Sequence, residues 1–146
     1  MKKKSDRLKI VLDLAERKEK TAMEALSKKR RYRDEQLAQL ESLKHYHFQY
    51  LDDIRTKTDQ VSSTFSLQAN LQFLTQVDTA IQQQENVLKI AENEFSNASD
   101  VWMVLHQKRK GMSDLIESYK KSEMQIADKK EQQQIESDLL SRRYRS

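Results

Sequence analysis

The chain has 146 residues with a formal net charge of +4, 34% of them charged and 36% apolar, with one glycine (Gly111), no proline and no cysteine. Average usage would give about 7 prolines and about 10 glycines, so the residues that interrupt helices are nearly absent. The composition excludes disulfide and thiolate chemistry and a large compact core, and no run approaches the roughly 20 apolar residues that cross a bilayer.

The N-terminus opens on Lys2, Lys3 and Lys4, followed by an apolar stretch over 8–15 that carries Lys9 and Asp13. It is amphipathic, unlike a signal peptide, and a soluble cytoplasmic protein is expected. A first helix is predicted over about 5–57, about 80 Å long at 1.5 Å per residue. Its seam is uneven. Leu8, Leu12, Ala15, Ala22 and Leu26 share one phase, and Leu37, Leu40, Leu51 and Ile54 are assigned to another. The 11-residue step from Leu26 to Leu37 reads as a stutter, and it holds a basic run over 28–33 that is too polar for a seam. A turn is expected over about 58–65, where Ser, Thr and Asp favour turns and caps. Ser66 is the expected cap.

A second helix is predicted over about 66–142, and its pattern is regular. Steps of seven give Leu67, Leu74, Ile81, Leu88, Phe95, Trp102, Arg109 and Ile116. Three residues on lie Asn70, Val77, Gln84, Ala91, Ala98, Leu105, Met112 and Tyr119, continued by Ile126. This alternation predicts a coiled coil, with Leu74, Ile81, Leu88, Phe95, Trp102 and Leu105 in its core. Asn70, Gln84 and Arg109 are polar seam positions of the kind that fix register. The fold class expected is all-α: a single-domain antiparallel two-helix hairpin whose second helix outruns the first. One continuous helix in a parallel homodimer is the rival arrangement.

Charge is unevenly spread. Residues 1–36 carry 13 Lys/Arg against 7 Asp/Glu, residues 37–106 carry 4 against 9, and residues 107–146 carry 10 against 7. In a hairpin the two basic ends coincide. The basic run over 28–33, that over 108–110, and Arg142, Arg143 and Arg145 have acidic residues interleaved nearby, which suits a solvated face or an acidic protein partner better than nucleic acid. His45 and His47 are two apart and do not share a helix face, so no metal site is expected. One glycine cannot build a phosphate-binding loop, and no nucleophile–base arrangement is legible. Gly111 is expected to soften the second helix. Tyr46, Phe48 and Tyr50 cluster near the first seam, where they either widen the core or anchor a partner.

An ordered set of residues resembles the FliJ family of the bacterial flagellar export apparatus. It begins with Leu8 and the run over 11–16, then Gln39-Leu40 with Tyr46 and Tyr50, then Phe73-Leu74 with Asp78 and Ala80-Ile81. Trp102, the basic run over 108–110 and the Gln-rich stretch over 129–138 complete it. The resemblance implies a non-enzymatic stalk, without cofactor, that inserts into the hexameric export ATPase FliI, acts alongside its regulator FliH, contacts the cytoplasmic domain of the export gate FlhA and escorts export chaperones. It implies a peripheral location at the inner face of the cell membrane. The gate contact it implies maps onto Gln39, Leu43, Tyr46, Tyr50, Phe73, Val77, Ala80 and Gln84. Those residues step along one face of each helix, and a hairpin centred near Val61 sets the pairs 39/84, 43/80, 46/77 and 50/73 level. In that register Leu8 lies opposite Leu115, and roughly 24 residues beyond Ser122 overhang by about 36 Å if helical. The equivalent stalk of a virulence injectisome and a structural coiled-coil homo-oligomer are the alternatives.

Overall fold

A computed structural model describes residues 3–57 and 64–145. Two helices form, α1 (Lys4–Lys57) and α2 (Thr64–Arg145), and they pack against each other as an antiparallel hairpin with no strand among the described residues. The expected centre near Val61 and most of the expected turn lie outside the described residues. Ser66, expected as a cap, lies inside α2. The packing resolves into two compact units, one spanning 22–102 and the other combining 1–21 with 103–146.

In the 22–102 unit, α2 buries Leu74, Val77, Leu88 and Ala91. Ala91, at 1% exposure, is the tightest point, where a small side chain lets the helices approach. Ile81, Phe95 and Trp102 are half-buried at their seam positions. On α1 the structure corrects the stutter. Leu40 is buried at 5% exposure, whereas Leu37 is exposed at 38%. Counting back from Ile54 by sevens gives His47, Leu40, Arg33 and Leu26, all at least half-buried, with Gln36, Leu43 and Tyr50 as companions. The row through Leu26, Arg33 and Leu40 therefore keeps its phase through the basic stretch, while Lys29, the next companion, is exposed. Arg33 occupies the seam because its guanidinium lies over the Phe95 ring, 4.7 Å from the centroid, an arrangement that offsets its desolvation. Gln36 occupies it because the Gln84 side-chain amide donates both to its carbonyl oxygen (3.0 Å) and to its Oε1 (2.8 Å).

In the other unit, Ile116 is buried while Leu115 is exposed, so the residue facing the first helix is Ile116 and not Leu115. Leu8, Leu12 and Ala15 on α1 and Leu105, Met112 and Tyr119 on α2 are half-buried. A polar layer crosses this seam. Glu19 accepts from Arg109 Nε at 2.6 Å and lies 3.2 Å from His106 Nδ1. The Arg109 hydrogen bond, and then His106, hold the Glu19 carboxyl below its ordinary value of 4.5, and the same bond raises Arg109.

The two-stranded segment ends at Ser5. Its buried hydroxyl donates to Glu123 Oε2 at 2.7 Å and its backbone N–H reaches Oε1 at 3.3 Å. First-turn N–H groups have no partner within their own helix, so the Glu123 carboxylate serves as a cap from the other strand. Those hydrogen bonds lower the Glu123 pKa. Beyond Glu123 every residue from 124 to 145 is exposed. Ile126, expected to prolong the seam, is among them because α1 begins at Lys4 and offers nothing to cover it. Gly111 sits within continuous helix, in the ordinary helical region.

Candidate partner-binding face

The 22–102 unit carries an open groove between the helices. Gln39, Ser42, Leu43 and Tyr46 line it from α1, and Ala80, Gln83, Gln84 and Val87 from α2. The heptad explains the pairing. Gln39 and Tyr46 are one heptad apart on the flank of the α1 seam, and Ala80 and Val87 are one heptad apart on the flank of the α2 seam. In an antiparallel pair these flanks meet, and small Ala80 leaves the depression.

The groove continues into an aromatic cluster. Tyr50 and Phe73 lie 4.7 Å apart between ring centroids, Tyr46 and Phe73 are edge-on at 6.2 Å, and Tyr46 and Tyr50 stack at 6.4 Å. Contacts of this geometry are worth roughly 0.5–1.5 kcal/mol each beyond area burial. The Tyr50 hydroxyl donates to Asn70 Oδ1 at 2.7 Å, which fixes its ring and gives the polar seam residue Asn70 a partner on α1. Tyr46 remains 50% exposed, so its ring supports the cluster and still presents a face to solvent. Phe48 points away, exposed and outside the cluster.

Five of the eight residues expected at this face, namely Gln39, Leu43, Tyr46, Ala80 and Gln84, line the groove itself. Tyr50 and Phe73 join them through Tyr46. Val77 is buried in the seam at 8% exposure. Sequence reasoning missed Ser42, Gln83 and Val87. Val87 follows Ala80 by seven and was within reach of the same progression. His47, in the seam, has its Nε2 2.9 Å from Oδ1 of the exposed Asp78, while on the opposite flank Lys44 and Glu85 approach to 4.0 Å. Exposed pairs of that kind contribute little. The groove holds neutral amides, aliphatic carbons and aromatic rings.

The described residues thus form an all-α helical hairpin with an open groove and an adjoining ring cluster on one flank. The chain belongs to the family described as the flagellar FliJ protein, whose family model matches residues 3–145. It is thus a component of the flagellar protein export apparatus, and that family is a structural, non-catalytic part of it. Comparison with curated proteins and with solved structures found no match. Among the described residues no helix is long and apolar enough to cross a membrane.

Proposed function

We propose that this chain is the coiled-coil stalk of the flagellar export ATPase FliI: that it seats in the hexamer, promotes its assembly and turnover alongside FliH, and links it to the export gate. The observation that carries the reading is the family match over essentially the whole chain. The exposed α2 extension over 124–145 supports it, because a single helix continuing beyond its paired segment suits insertion into a ring. The chain would then work in the cytoplasm, at the inner face of the cell membrane at the flagellar base, and would hand on export chaperones there.

The gate contact is assigned to the groove and ring cluster, through Gln39, Leu43, Tyr46, Tyr50, Phe73, Ala80 and Gln84, with Val77 beneath them in the seam. Partly exposed tyrosines held by neighbouring rings are the kind of anchor that dominates interfaces. Replacing Tyr46 and Tyr50 together by Ala should weaken binding to the cytoplasmic domain of FlhA by about 30-fold or more, the equivalent of ~2 kcal/mol, with helicity retained. Unchanged affinity in a folded double variant would remove the face from the gate contact.

A further inference from the structure

The unit that combines 1–21 with 103–146 contains a second groove, of different chemistry. Its floor is apolar, with Val11, Leu14 and Ala15 from α1 and Leu105 and Met112 from α2, and its rim carries Lys18 and Lys108, one lysine from each helix. Val11 and Leu14 are 45% and 53% exposed. Neither lysine makes an ion pair among the described residues. The cavity is about 280 Å³, below the roughly 300–1,000 Å³ of small-molecule sites. It is open along the helices, as a groove that takes side chains from one face of another helix would be.

Charge on this flank is one-sided. The flanking phases of the heptad run through 7, 11, 14, 18 and 21 on α1 and through 104, 108, 111, 115, 118 and 122 on α2. No Asp or Glu occupies any of them, whereas Arg7, Lys18 and Lys108 do. The unit's acids fall elsewhere: Glu19 and Glu123 are spent on seam contacts. Gly111 lies in the same row, and a Cβ built on it meets nothing within 4 Å, so a partner backbone has room to come close. By contrast, the groove around Tyr46 is rimmed by neutral glutamines.

We propose that this second groove docks an acidic amphipathic helix of a partner protein, with its apolar face on Val11, Leu14 and Met112 and its carboxylates against Lys18 and Lys108. The concavity between two helices favours a helix over a flat lipid surface, and the unpaired lysines select for acid. This surface shares no residue with the gate face and stands whether or not the stalk reading does.

The test uses the full chain and a fluorescein-labelled amphipathic peptide, with leucine at its seam positions and glutamate beside them, followed by anisotropy. A matched peptide has lysine in place of each glutamate. The acidic peptide should bind at least about tenfold more tightly than the basic one, and Lys18→Glu with Lys108→Glu should reverse that preference, because like charges at an interface are costly. Lys129→Glu with Lys130→Glu changes net charge equally on the exposed extension and should leave binding unchanged. Circular dichroism confirms that each variant is folded. Equal loss in both double variants would mean charge without a site and would overturn the proposal, as would no preference between the peptides. The same holds if the wild-type chain self-associates through these lysines in sedimentation, or if they are needed for phosphatidylserine vesicles and not for the peptide.

Discussion

Leu37 and Leu40 give a sharp test of the continuous α1 seam, since they are identical side chains three residues apart in one helix. Truncation of each to Ala has almost the same intrinsic effect on helix propensity, so the difference measures burial alone. Leu40 is 5% exposed and Leu37 38%. A buried Leu→Ala change costs about 2–5 kcal/mol, the transfer term plus the cavity left behind. A flanking side chain already in water to this extent should lose under about 1 kcal/mol. At about 2–4 °C per kcal/mol for a chain near this size, Leu40→Ala should lower Tm by about 4–20 °C and Leu37→Ala by under about 4 °C. The assay is thermal unfolding followed by circular dichroism at 222 nm, with urea titrations to fix the free energies. Equal losses would place both leucines on the seam and restore the stutter; a larger loss at Leu37 would refute the register outright.

Three further outcomes follow from the packing. Gly111→Ala should stabilise the chain by about 0.5–1 kcal/mol, because the helix is continuous there and the added methyl meets open space; a fall in Tm would contradict this. Glu19 and Glu123 are more acidic folded than unfolded, so their contribution is complete above the unfolded carboxyl value near 4.5 and is lost as pH falls below it. Acid unfolding should be less steep in Glu19→Gln and Glu123→Gln variants, each also less stable than wild type at neutral pH. Deleting the chain after Glu123 should leave Tm nearly unchanged, since 124–145 are exposed, while reducing stimulation of the ATPase if the extension enters the ring; undiminished stimulation would remove that role from it.

How far the sequence could be read depended on which side chains fill the seam. On α2 nearly every seam position is apolar, so a count by sevens finds Leu74, Leu88 and Ile116 directly, and with them the hairpin and its overhang. On α1 the seam passes through Glu19, Arg33, Gln36 and His47. The first three are met there by Arg109, Phe95 and Gln84, from 48 to 90 positions away. A polar residue gives no periodic signal, and its partner is unknown until the register is. The polar seam positions Asn70, Gln84 and Arg109 were legible on α2, whereas the partners that meet them from α1 were not. The end of the seam depended likewise on the other strand: Ile126 continues the pattern perfectly well and is exposed because α1 has no residue to set against it. The groove was legible in part, since its stepping of four and seven follows from helix geometry. The lysine-rimmed groove was not, because Lys18 and Lys108 are 90 residues apart and each alone is one cation in a mixed-charge run.

The central claim is that this hairpin acts on the export ATPase. The direct measurement is ATP hydrolysis by purified FliI with and without the full chain, with hexamer formation followed in the same samples. The account predicts faster turnover and more hexamer when the chain is added. Unchanged turnover and unchanged assembly, with the chain helical and folded under the assay conditions, would contradict it.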